Sequence, residues 1–221
     1  MEKDLLQAQE IVMEGVRSLV EKHLTNGSWG NISARANADY IAITPSGTMY
    51  NAMDASMVVL SDMEGKVLAG GIPSSELPMH LAIYKAYPEV HAIVHTHSPH
   101  SSALAALRIN LPPIMDDQVS ILGGEVRCAK YAMSGSEKLG EHTVEALADR
   151  NACLWANHGA VCVGRSMDEA FMCAEILEKT AQIYLLAKPL GEPIEVDEEA
   201  RKHLRDFYLN KYSKRQQGLK E

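Results

Sequence analysis

Four short runs of strand character, at 32–35, 40–44, 57–61 and 66–68, follow one another before the chain offers a second helix. This succession does not alternate strand with helix, which argues against a doubly wound nucleotide-binding fold. The last two runs flank Glu64-Gly65 and predict a hairpin. A mixed or antiparallel sheet with helices on both faces accommodates the order. Residues Leu5, Leu6, Ile11, Val12, Val16, Leu19 and Val20 recur at helical spacing and stop at Asn26-Gly27. A second helix is expected from Ser74-Ser75 to Tyr87, ended by Pro88. Further helices are expected over 98–107, 136–149 with Ser136 as cap, 167–187 and 198–212. Strands are expected over 91–97, 126–131, 152–156 and 160–163. No repeat or long polar linker divides the chain, so 1–221 reads as a single domain.

With 221 residues the chain can bury a full core, and with only 5% aromatic residues that core must use Val, Ile, Leu, Met and Ala. The formal charge of −8 argues against nucleic acid and anionic membranes as partners, which call for a basic face. A phosphate could still be held by local backbone N–H groups. The N-terminal residues carry acids and do not read as a signal peptide, and no apolar run approaches a membrane span. Cys128, Cys153, Cys162 and Cys173 form no C-x-x-C pair and read as core residues in a reduced, cytoplasmic setting.

Residues 91–100, HAIVHTHSPH, hold four of the nine histidines. On a strand His95 and His97 project the same way, a common way to present two metal ligands. His158, in Asn157-His158-Gly159 between two strand-like runs, is a third candidate, and Glu76 a fourth. The competing reading of any one histidine is a hydrogen-bonded or surface side chain. His80 and His142 read as structural, and His91 and His100 stay nearer the hydrogen-bonded or surface reading, with a donor's place one helical turn beyond the site as the alternative for His100. Three turns suit an anion: 26–31 (NGSWGN), 44–47 (TPSG), and Ser74-Ser75 at a helix start, where free N–H groups and the helix dipole favour a phosphate.

Taken in order, GNIS at 30–33, TPSG at 44–47, PSSE at 73–76, HTHS at 95–98 and NHG at 157–159 resemble the class II aldolase/adducin-head family from the first helix to the last. The resemblance implies a three-layer α/β sandwich on a mainly antiparallel sheet, and a homotetramer with active sites between subunits. It implies that His95, His97 and His158 hold a catalytic zinc, one per subunit, with Glu76 as fourth ligand and proton-transferring group. It implies a phosphate cradle of Asn31, Ser46, Gly47, Ser74 and Ser75, with Ser28 and Gly30 nearby. The implied reaction is reversible cleavage of a short 1-phosphorylated ketose, of the fuculose-1-phosphate type, to dihydroxyacetone phosphate and an aldehyde through a zinc-stabilised enediolate. Glu76 follows Ser74-Ser75 as in the family's aldolases, whereas its epimerases carry Asp there. Two alternatives share the architecture: 4-epimerisation of L-ribulose 5-phosphate, and a non-catalytic adducin-head scaffold. Asp117 is a candidate proton donor on the epimerase pattern, against a solvated-turn reading of Asp116-Asp117. Tyr212, ahead of Tyr208, is the candidate for closing the site.

Overall fold

The computed structural model describes residues 2–213, and in it the four early runs form a meander. Strands β1 (Asn31–Arg35), β2 (Tyr40–Ile43), β3 (Val59–Asp62) and β4 (Val67–Ala69) pair antiparallel, each with the next. The expected hairpin joins β3 to β4. Its turn is set by the Asp62 carboxylate, which accepts from the Glu64 and Lys66 backbone N–H groups at 2.9 Å each.

The later strands are β5 (Ala92–Thr96), β6 (Cys128–Ala129), β7 (Ala152–Trp155) and β8 (Gly159–Gly164). Among the described residues the strands make one eight-stranded sheet, in the order β4-β3-β2-β1-β5-β8-β7-β6. Every pair is antiparallel except β6 with β7. The helices are α1 (Glu2–Glu21), α2 (Leu77–Ala86), α3 (Pro99–Leu107), α4 (Asp116–Leu122), α5 (Glu137–Leu147), α6 (Met167–Ala187) and α7 (Glu198–Phe207).

Strand alternation sorts the apolar side chains into two cores, one on each face. Ile32, Val94 and Cys162 meet Val12, Val16 and Leu19 of α1, Leu104 of α3 and Leu177 of α6. Ile41, Ile93, Cys153 and Val161 meet Met79 and Ile83 of α2 and Leu139 and Leu147 of α5. His95 shares the parity of Ile93, and Asn31 and Ser33 alternate with Ile32, so these polar residues face α2. The sheet therefore carries its chemistry on the α2–α5 side.

Some expectations need correction. The strand expected over 126–131 shortens to Cys128–Ala129, with Val126 bridging Leu111. Asp116-Asp117 is not a turn but the acidic first turn of α4, whose Gln118 is buried and bonds to the Pro112 and Gly124 carbonyls. The helix expected to Tyr212 ends as α at Phe207 and continues as a π-helical turn, Tyr208–Tyr212. Ser136 does cap α5, accepting from the Leu139 N–H. Cys153, Cys162 and Cys173 are buried, Cys128 is half-buried, and all four are free. Among the described residues no helix is long and apolar enough to cross a membrane.

Candidate active site

His95 stands one residue from the end of β5 and is 1% exposed. Its Nδ1 donates to the Ala160 carbonyl of the neighbouring strand at 2.8 Å, since a carbonyl can only accept. The Nε2 lone pair therefore faces the site, in the tautomer a ligand needs. Trp155 packs on the His95 ring, with centroids 4.4 Å apart. His97 lies just past the strand, anchored by its backbone N–H to the Leu24 carbonyl. Its Nε2 lies 2.9 Å from that of His95.

His158 arrives from elsewhere, at the tip of the β7–β8 hairpin. The hairpin's turn is made by Asn157, whose φ is +59°, with its Oδ1 held by Arg108. Gly159 serves close approach instead: a Cβ there would collide with the Thr96 carbonyl oxygen and lie 3.3 Å from His95 Cε1. Gly159→Ala is expected to destabilise the fold by roughly 2–3 kcal/mol, by forcing β8 off β5 at the metal-type site. Gly71→Ala, with nothing within 4 Å of its Cβ, should be near neutral. Denaturant midpoints at unchanged m-value compare the two.

The three imidazoles converge. One nitrogen from each of His95, His97 and His158 lies within 4.8 Å of the others. Glu76, 3% exposed and just ahead of α2, completes the group. Its Oε2 is 3.4 Å from His95 Nε2 and its Oε1 3.3 Å from His158 Nε2. Asn31 Nδ2 donates to Oε2 and Ser134 Oγ to Oε1, both at 2.8 Å. Burial pushes the Glu76 carboxyl up, but the adjacent His95 imidazole, the Asn31 amide, His158 and Ser134 draw it further the other way, to about 2. Burial takes His95 down to about 4, and burial with the neighbouring His158 does the same to His97. At neutral pH an ionised carboxylate thus stands in a site with the neutral imidazoles of His95 and His97. Three nitrogen donors, one negative oxygen and a tautomer fixed from behind fit a divalent cation.

The same cleft, of about 260 Å³, is lined by all seven residues expected around a phosphate: Ser28, Gly30, Asn31, Ser46, Gly47, Ser74 and Ser75. A backbone clasp draws two of the turns together, with Ser46 N–H bonded to Ile72 O and Ser74 N–H to Thr44 O. Among the described residues no Lys or Arg lines the cleft, so from these an anion would be met by hydroxyls, amides and the start of α2. Trp29 and Pro45, from the two expected turns, also line it, and so does Ser134, which was not expected. Ser134 sits beside Gly135, whose φ is +78° and whose Cβ would lie 2.8 Å from Ser75 O. The one signal for Ser134 in the sequence is the Ser134-Gly135-Ser136 turn ahead of a capped helix.

Other expected residues lie elsewhere in the chain. Asp117 pairs with Lys179 of α6 and does not line the cleft. Tyr212 is 45% exposed and also outside it, its ring beside Phe207 and Tyr208. Tyr208 is buried and donates to Glu169 Oε1 at 2.8 Å, a core role. His100 does not support the site. It pairs at 2.7 Å with Glu178, which also accepts from the His100 and Ser101 N–H groups and so caps α3. His142 Nδ1 donates to Lys130 O, as a structural residue would.

The model of the class II aldolase and adducin N-terminal domain matches residues 10–185. The chain is 37% identical over 200 residues to a 5-deoxy-D-ribulose 1-phosphate aldolase of Bacillus thuringiensis serovar kurstaki, covering 90% of this chain and 93% of that protein. It is 33% identical over 209 residues to an L-fuculose phosphate aldolase of Escherichia coli, covering 94% and 96%. A solved L-fuculose 1-phosphate aldolase superposes with a TM-score of 0.88 at 34% identity, covering 92% of this chain and 96% of that one. On fold, motif order and these likenesses together, the chain belongs to the class II aldolase and adducin family, among its aldolases.

Proposed function

We propose that this class II aldolase reversibly cleaves a short 1-phosphorylated ketose to dihydroxyacetone phosphate and an aldehyde. One observation carries the reading. A cation-fitted cluster, an ionised buried carboxylate and the phosphate-type turns open onto a single cleft. Relatives named for 5-deoxy-D-ribulose 1-phosphate and L-fuculose phosphate support the substrate class. The turns at Ser46-Gly47 and Ser74-Ser75 bind the phosphate, and this remote contact fixes the reacting carbons. His95, His97 and His158 would hold a divalent cation, zinc by its liking for nitrogen with one oxygen, which would supply Lewis acidity toward the ketose carbonyl. Glu76 moves the proton on the carbon that loses its bond, at Oε1, the oxygen beside the less buried His158. Asn31 and Ser134 hold the carboxylate still while it does so.

The aldehyde end is completed by a neighbouring copy in a homotetramer. Exposed Trp29, Met49 and Ile72 on the cleft-forming turns favour a second chain there, as does the position of Asp117 and Tyr212 away from their own cleft. The free, mostly buried cysteines suit a cytoplasmic setting.

Incubation of the zinc-loaded protein with dihydroxyacetone phosphate and, separately, acetaldehyde, lactaldehyde and glycolaldehyde tests the reaction. Mass spectrometry should find a condensed ketose phosphate with at least one of them. No condensation, with turnover of L-ribulose 5-phosphate, would replace the aldolase reading with the epimerase one.

A further inference from the structure

Beneath the cleft, between α2 and the sheet, lies a seam of polar side chains that reaches the cleft only through Asn31 and Glu76. Tyr84 OH is 2.8 Å from Ser33 Oγ, and Ser33 Oγ is 2.6 Å from His80 Nδ1. His80 Nε2 is 2.5 Å from Asn31 Oδ1, and Asn31 Nδ2 is 2.8 Å from Glu76 Oε2. His80 and Ser33 are 0% exposed, Tyr84 1% and Asn31 6%.

The direction of every bond in this chain follows from its end. An ionised carboxylate only accepts, so the Asn31 NH2 faces Glu76 and its carbonyl faces His80. A carbonyl only accepts, so His80 Nε2 carries a hydrogen. His80 is 0% exposed, which favours the uncharged ring, and with its one hydrogen on Nε2 the Nδ1 is a bare acceptor. Ser33 must then donate to Nδ1, and its oxygen accepts from Tyr84. Four residues, Asn31 and Ser33 on β1 and His80 and Tyr84 on α2, form one unidirectional row of donors pointing at Glu76. Reversing the Asn31 amide would turn a carbonyl onto a carboxylate and break the order at both ends. Apolar side chains would fill this seam and hold α2 to the sheet equally well, so packing alone does not call for the row.

We propose that His80, Ser33 and Tyr84 are positioning residues for the aldolase reaction, locking the Asn31 amide and through it the Glu76 carboxylate in its working orientation. On the reading that Glu76 transfers the proton, the row fixes where that proton is taken and returned. It does not conduct protons, because an amide passes none on. Its loss leaves phosphate binding largely intact and slows the chemical step.

The test has two arms. In metal-free wild-type protein, 15N-correlated NMR of the histidine side chains should show His80 neutral with hydrogen on Nε2. Hydrogen on Nδ1 would overturn the proposal. In the zinc-loaded enzyme, His80→Phe should lower kcat about 10- to 100-fold with KM within about threefold and bound zinc unchanged. His80→Gln, which can still donate to Asn31, should recover most of that loss. Tyr84→Phe, removing one oxygen, should lower kcat by about threefold to tenfold, while Tyr87→Phe, whose hydroxyl bonds the Val144 carbonyl outside the row, should leave it unchanged. Should His80→Phe fail to fold, Tyr84→Phe and the tautomer decide. Wild-type kcat in these variants beside an inactive Glu76→Gln would overturn the row alone. Wild-type kcat in Glu76→Gln would overturn the reading of Glu76 beneath it.

Discussion

Glu76→Gln yields a folded, zinc-binding protein whose kcat falls about 10³-fold. The folding part follows from the hydrogen bonds. Asn31 presents an NH2 and Ser134 a hydroxyl. A glutamine can turn its carbonyl to Asn31 and its NH2 to Ser134, whose oxygen then accepts. No buried polar atom is stranded, so the large cost of an unpaired group does not arise. The catalytic part follows from chemistry: an amide has almost no basicity and cannot take a proton and return it. The same change removes the one negative charge facing the imidazoles, so zinc binds more weakly and the assay must be saturated with metal. Steady-state kinetics at saturating zinc, with circular dichroism as the fold control, read the outcome. Activity within about tenfold of wild type would take Glu76 out of the proton-transfer role.

His158→Ala is expected to weaken zinc binding by about 10³-fold and to abolish turnover at stoichiometric zinc, without unfolding the chain. Among the three histidines this one is the cleanest to remove. The hairpin that carries it is closed by the His158 backbone N–H to Trp155 O and by Asn157 held from Arg108. The ring itself supports no main-chain bond among those present, and its side chain is 19% exposed. His95→Ala would be ambiguous by comparison, because that ring also bonds Ala160 O and packs on buried Trp155. Isothermal titration with zinc and a thermal melt of the metal-free protein separate the two effects. An unchanged melt with weakened binding is the expected pair.

His95 and His97 can be read from sequence because strand period alone puts them on one side. His158 is harder. Its place beside them depends on β8 pairing antiparallel with β5, with Thr96 opposite Ala160, and only the resemblance of five motifs in order anticipates it. Ser46 and Ser74 are visible as turn residues, yet nothing local says that the clasp of Ser46 to Ile72 and of Ser74 to Thr44 brings their turns together. Ser134 and the His80 row are hidden for another reason. They act through tertiary hydrogen bonds between residues 45 to 58 positions apart, and a lone buried histidine or serine has no periodicity to betray it. The acidic start of α4 was misread because two adjacent aspartates serve a turn and a helix N-terminus equally well. Asp117 then spends its charge on Lys179 rather than on its own cleft.

The proposed chemistry requires the three imidazoles to share one cation. Equilibrium dialysis of the metal-stripped wild-type protein against zinc at pH 7, run beside His158→Ala, measures this directly. Binding of one zinc per chain to the wild type, and a marked loss in His158→Ala, is the predicted result. A wild type that takes up no zinc, or a variant that holds it as tightly, would contradict the site.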